Sequence, residues 1–224
     1  MTLCLCLAEW GEWIPMLDTL DKRMMLLFNF DGSTMADRFW YGYTQLWVWL
    51  PLAGVVLIEI WRNSREHRRG FVVFVVATAL LVVVLDQTSS SVIKPLVGRL
   101  RPSHDPAISV MLHYVNGYHG GLYGFVSGHA TNVVGLATWL GLVFRNYRTR
   151  IMLGLFAALM CYSRIYLGVH YPGDVLCGAL LGYCTARLAF HYLRPYVSTC
   201  TTSRCPCSIV IAYALSICLI LIMP

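Results

Sequence analysis

Apolar residues fill long uninterrupted stretches of this chain, and polar residues gather in the connections between them. Six stretches fit the rule that about twenty mainly apolar residues cross a bilayer's hydrocarbon. They are Phe39 to Trp61, Gly70 to Ser91, Ala130 to Phe144, Ile151 to Tyr162 with some extension, Asp174 to Tyr192, and Ser208 to Met223. The third and fourth are short by strict apolar count. The pattern predicts an all-α polytopic membrane bundle of six transmembrane helices. It reads as one domain over residues 1–224, because no linker, repeat or low-complexity segment interrupts it.

The first thirty residues follow another rule. Met1 to Ala8 lacks a basic start and its apolar run is brief, so no cleaved signal peptide is expected. Between Ile14 and Phe30, the apolar Ile14, Leu17, Leu20, Met24 and Phe28 recur at helical spacing, and Asp18, Asp21, Lys22 and Asn29 fall elsewhere. This predicts an N-terminal amphipathic helix. It either lies on the membrane surface or packs against the bundle.

Composition agrees with the bilayer reading, since 58% of the 224 residues are hydrophobic and 12% charged, more apolar surface than one soluble core hides. Basic residues set the orientation: Arg62, Arg65, Arg68 and Arg69, then Arg145, Arg148 and Arg150, then Arg194 and Arg204 mark cytoplasmic connections. Val92 to Gly128 and Ser163 to Gly173 then lie outside with the N-terminus. The net charge of +6 is mostly this topology signal, and nothing resembles a nucleic-acid surface. Cys161, Cys177, Cys184 and Cys218 fall in predicted spans as small hydrophobes. Cys200, Cys205 and Cys207 lack a nearby fourth ligand for zinc, and Cys4 and Cys6 face the outside, where oxidation is open to them.

The polar residues that the membrane pattern leaves unexplained form three clusters in the external connections. They are Lys94 to Pro102, then Ser127, Gly128 and His129, then Ser163 and Arg164 with His170 and Asp174 following. Each meets the same leaflet at a helix end, so a bundle brings them to one pocket. A phosphate monoester carries close to two negative charges, and its transition state spreads charge over oxygens that need fixed donors. Lys94, Arg101 and Arg164 are suited to that cradle. Taken alone, Lys94 reads rather as a snorkelling interfacial anchor, and the nearby histidines weaken that reading. Ser127 and Gly128 stand where a helix begins and free N–H groups attract anions, though a plain N-cap also explains Ser127. His129 is placed to protonate a departing alcohol. Asp174 can fix the tautomer of His170, leaving Nε2 to attack phosphorus; complementing the helix dipole is its structural alternative.

The order Lys, six residues, Arg-Pro, then Ser-Gly-His, then Ser-Arg, five residues, His, three residues, Asp resembles the type 2 phosphatidic acid phosphatase family. The likeness covers Lys94 to Asp174. It implies a metal-independent, cofactor-free lipid phosphatase with His170 as nucleophile, His129 as acid and base, and Asp174 in support. It implies that Lys94, Arg101, Ser127, Gly128 and Arg164 hold phosphate. Val126 departs from the proline that commonly opens the second motif. The first span common in bacterial relatives is replaced by the N-terminal helix, and an extra span follows at the C-terminus.

Family members act on undecaprenyl pyrophosphate, phosphatidylglycerophosphate, phosphatidic acid or lipid A. The run Gly121 to Phe125 is similar to envelope phosphatases of the Bacteroides group, which favours lipid A or undecaprenyl pyrophosphate, at the outer face of a bacterial inner membrane. A vanadium haloperoxidase would share the pocket but is soluble. A lipid-binding or transport protein that kept the pocket is the non-enzymatic alternative. Two features stay open: Asp86, about 12 Å below Lys94 by helical rise, and the polar, aromatic loop from Ser103 to Tyr123, which is either a headgroup lid or an interfacial belt.

Overall fold

The structure, a computed structural model, describes residues 2–202 and 207–222, with side chains from residue 15 onward. The expectations for Cys4 and Cys6 rest on side chains outside that range, and Arg204 and Cys205 lie outside it altogether. Among the described residues the chain is all-helical, with no strand beyond two isolated bridges.

Helix α1 spans Thr2–Phe28 and α2 spans Thr34–Tyr43, the latter capped by Ser33. A 3₁₀ turn, Leu46–Trp49, leads into α3, Leu50–Asn63. Helix α4, Arg68–Asp86, continues through a π-helical stretch, Gln87–Ile93, into the short α5, Lys94–Val97. Helices α6 (Gly128–Val143), α7 (Tyr147–Tyr166), α8 (Pro172–Val197) and α9 (Cys207–Ile222) complete the bundle.

One boundary differs from the sequence reading. The first predicted span begins at Phe39, but α2 stops at Tyr43 and the apolar helix restarts at Leu46. Thr44 folds its hydroxyl back onto the Tyr41 carbonyl at 3.0 Å, and Gln45 is extended. That local side-chain bond ends α2, and Pro51, at home in a first turn, starts the next helix. Among the described residues, Leu46–Asn63 and Arg68–Val97 are long and apolar enough to cross a membrane, and α9 is a shorter apolar helix.

Helix α6 is the centre of the bundle, with α4, α7 and α8 packed around it. Helix α8 comes closest because Gly178 and Gly182 present bare backbone: a Cβ at Gly178 would stand 2.6 Å from the Ser127 carbonyl, and one at Gly182 would stand 2.9 Å from the Gly135 nitrogen. Small residues let helices in lipid gain dispersion through close backbone approach. Trp139, fully buried, donates to Thr78 Oγ1 at 2.9 Å and ties α6 to α4. Asp86 accepts from Asn132 of α6 at 3.3 Å, so it helps join the same two helices through an amide rather than through a basic partner.

The connections separate into two ends. At one end Asn63 donates to the Cys200 carbonyl at 3.1 Å and Thr202 donates to Val143 at 3.0 Å, gathering the arginine-rich connections. Cys200 is buried against the Ser64 hydroxyl, while Cys207 is exposed. At the other end, the connections after α5 and α7 meet α1. The polar side of α1 faces inward onto these loops, and Leu17, Leu20 and Leu27 point outward, exposed. Met25 is fully buried with Ile108, Leu112 and Tyr171.

Candidate active site

The loop after α5 doubles back on itself. Arg101 donates its N–H to Leu122 at 3.0 Å and Gly124 donates to Arg99 at 2.8 Å, an antiparallel pairing around Leu100 and Tyr123. This returns the chain from the first motif to the second within one loop. Residues of the 103–123 loop are tied down: Ser103 donates to the His119 carbonyl at 2.6 Å, and His113 lies between Asp31 and Asp37, 3.3 and 2.9 Å away. The loop is therefore tied to its own backbone, to α2 and to the connection between α1 and α2.

Ser127 caps α6, its Oγ accepting from Ala130 at 3.4 Å, and its own N–H donates to the Asp174 carbonyl at 3.0 Å. The second motif is thereby fixed to the start of α8. A Cβ at Gly128 would lie 3.7 Å from Lys94 Nζ and 3.4 Å from Ser90 Oγ, so Gly128 faces the first motif across the helix end. The π-helical stretch is what turns Lys94 off the α4 helix toward this position.

His170 sits in the turn between α7 and α8, 1% exposed, with Nδ1 3.6 Å from Asp174 Oδ2. That separation is longer than a hydrogen bond, and His170 Nδ1 is buried with no hydrogen-bond partner. Asp174, fully buried, accepts the Tyr171 N–H at 3.1 Å in a capping box, and Pro172 occupies the first turn of α8 as expected. Burial first, then the charges of Arg101, Arg164 and Lys94, hold His170 well below the ordinary imidazole range. His129 is the second residue of α6, is exposed, and lies within electrostatic range of His170 and the same three cations.

Those cations have an unusual environment. Arg101 donates to the Tyr123 carbonyl at 3.1 Å and to the Val169 carbonyl at 3.4 Å. Arg164, 1% exposed, donates to the Tyr118 hydroxyl at 3.1 Å, and its Nε is buried with no partner. Among the described residues no carboxylate pairs with Lys94, Arg101 or Arg164. Three cations beside two imidazoles, none of the three in an ion pair with a carboxylate among the described residues, suit a dianion with several oxygens.

Residues 71–197 match the PAP2 superfamily. The chain belongs to this superfamily. It is 39% identical over 170 residues to a lipid A 4'-phosphatase of Bacteroides thetaiotaomicron, covering 75% of each chain. It is 32% identical over 187 residues to a lipid A 4'-phosphatase of Porphyromonas gingivalis, covering 84% of this chain and 78% of the relative. The fold resembles the crystal structure of a transmembrane PAP2-type phosphatidylglycerolphosphate phosphatase from Bacillus subtilis, with a TM-score of 0.60 at 20% identity over 80% of this chain and 87% of that one.

All eight residues expected at the site thus belong to one end of this PAP2 bundle. One residue of the site carried no expectation. Arg99 lies within the first motif, yet it turns to Asp174 and to two aspartates of α1. The acidic pair Asp18 and Asp21 on the polar stripe of α1 was the available sign that this helix meets a cation.

Proposed function

We propose that this chain is a lipid phosphatase with six membrane spans that removes the 4'-phosphate of lipid A at the outer face of the bacterial inner membrane. The observation that carries the reading is the set of three cations without acidic partners, Lys94, Arg101 and Arg164, around His129 and His170. The arginine-rich connections at the opposite end support the orientation. The outward ridge of Leu17, Leu20 and Leu27 supports α1 lying at the lipid boundary with the site beneath it.

In this mechanism Lys94, Arg101, Arg164, the Ser127 hydroxyl and the Gly128 N–H hold the phosphate oxygens, while the Ser127 N–H stays on the Asp174 carbonyl. Asp174 orients His170 through Nδ1, and Nε2 attacks phosphorus. A bond forms between Nε2 and phosphorus, and the bond from phosphorus to the sugar oxygen breaks. Desolvation and then the charges of Arg164, His170, Arg101 and Lys94 disfavour the His129 imidazolium before phosphate binds, and the bound phosphate dianion offsets those charges. The imidazolium then gives its proton to that oxygen, which leaves as the alcohol. His129 then takes a proton from water, whose oxygen attacks the phosphohistidine and releases inorganic phosphate and free His170.

Lipid A is favoured because the relatives from Bacteroides and Porphyromonas, which this chain matches over most of its length, are lipid A 4'-phosphatases. Undecaprenyl pyrophosphate presents a similar terminal phosphoryl group and is the second substrate to assay. The test is purified protein in detergent with EDTA, offered lipid A, undecaprenyl pyrophosphate and phosphatidylglycerophosphate side by side. Release of the 4'-phosphate, abolished in His170→Ala, is expected. Equal release by both proteins would defeat the enzyme assignment, and preference for phosphatidylglycerophosphate would overturn the substrate.

A further inference from the structure

Helix α1 lies outside the segment that matches the superfamily, yet charges bind it to the turn that carries His170 and Asp174. Arg99 is the centre of this network. Its Nη1 stands 2.8 Å from Asp174 Oδ1 and 2.7 Å from Asp21 Oδ2, its Nη2 stands 3.1 Å from Asp18 Oδ1, and its plane lies 4.1 Å over the Tyr171 ring. The other oxygen of Asp21 accepts the Gly173 N–H at 2.7 Å. Lys22 bridges Asp18 at 2.9 Å and Asp105 at 3.0 Å, and the Tyr171 hydroxyl donates to Asp105 at 2.8 Å. Tyr171, Gly173 and Asp174 are therefore each held by a separate contact.

The two oxygens of Asp174 have different partners. Arg99 takes Oδ1, so Oδ2, which also receives the Tyr171 N–H, is the oxygen turned to His170. A fully buried carboxylate stays ionised only beside a dedicated cation. A planar guanidinium locked by Asp18 and Asp21 fixes the position of that cation more tightly than a flexible ammonium would. The side chain that orients the proposed nucleophile is thus itself oriented from α1.

We propose that Arg99 and Asp21 are positioning residues of the reaction, acting through Asp174, and that α1 is the strut that holds them. The inference rests on the phosphatase reading above. It differs from a simple staple of α1 to the bundle, which would change stability without changing the turnover of folded protein.

The test is steady-state kinetics of Arg99→Lys and Asp21→Asn on the full chain in detergent, with vanadate as a probe of the phosphate cradle. Arg99→Lys keeps the charge and loses the fork. A fall in kcat of tenfold or more is expected, with KM and vanadate inhibition within twofold of wild type. In an Asp174→Asn background, where the oriented carboxylate is gone, Arg99→Lys is expected to lower the residual kcat by less than twofold. Asp21→Asn should show a smaller fall that is not multiplicative with Arg99→Lys, and it carries the measurement if Arg99→Lys fails to fold. A kcat within twofold of wild type in both single variants, a loss confined to KM, or the same tenfold loss with Asp174→Asn would overturn the proposal. Wild type that releases phosphate in a His170-dependent way beside fully active Arg99→Lys and Asp21→Asn would sink this inference alone; wild type with no release would sink the phosphatase reading first.

Discussion

Nδ1 of His170 lies 3.6 Å from Oδ2 of Asp174, with both side chains shut away from solvent and the second oxygen of the aspartate taken by Arg99. The arrangement sets a carboxylate on the Nδ1 side of the imidazole. Replacing Asp174 with asparagine keeps the shape and removes the charge, so phosphate release should fall by about 10²-fold or more in kcat. A single-turnover assay that follows phosphoenzyme formation checks this, and unchanged formation would remove Asp174 from the mechanism.

The acid limb of activity follows from the surroundings of His170. Burial and the cations Arg101, Arg164 and Lys94 favour the neutral ring, so the ring loses its proton at lower pH than a free imidazole does. The proposed nucleophile is then unprotonated throughout the range near neutrality, and activity is expected to be lost only as pH falls well below about 6.5. Arg101→Gln removes one of those charges and should move the limb to higher pH, apart from its effect on KM. A pH profile of kcat/KM with its acid limb above that value in wild type would contradict the arrangement.

Anion binding should depend on the fork of Arg164 as well as its charge. The side chain is nearly inaccessible, and its Nε has no protein partner. Arg164→Lys is expected to weaken inorganic phosphate by about tenfold or more, since an ammonium cannot grip two oxygens in one plane. Calorimetric titration with phosphate measures it; equal affinity would place the anion elsewhere.

Gly178 is predicted to tolerate no side chain. A Cβ there would press 2.6 Å from the Ser127 carbonyl and 3.0 Å from Thr131 Oγ1, at the helix end that carries the second motif. Gly178→Ala should cost about 1–3 kcal/mol of stability through overpacking and also lower kcat by shifting Ser127. Thermal unfolding in detergent, paired with the phosphate assay, reports both.

Asn29 closes the junction between α1 and the external loops. Its amide donates to the Tyr166 carbonyl at 2.6 Å and the His113 carbonyl at 3.1 Å, and its oxygen accepts the His113 N–H at 2.8 Å. Asn29→Ala leaves these main-chain groups unsatisfied and should cost about 2–3 kcal/mol. Protease protection of the 103–123 loop is expected to fall with it, and an unaltered digestion pattern would show that the loop holds itself.

The sequence by itself determined the helical class, the separation of the two ends and the chemical types in the cradle. Each is local: an apolar run long enough for a bilayer, arginines grouped in alternate connections, and histidines spaced from a capping serine and a following aspartate. Pro172 in the first turn of α8 and Ser127 capping α6 were legible for the same reason, because caps depend on neighbours in the chain. What only the tertiary structure decided concerns partners far apart in sequence. Arg99 and Arg101 are the same residue type two positions apart, and nothing local says that one pairs with three aspartates while the other has none. The periodicity of α1 marked a polar stripe but not the direction it faces, and it turned inward because the half-buried Arg99 and Gly173 supply partners that solvent would otherwise provide. Charge pairing and burial are set by which helices meet, and that is a property of the packed bundle.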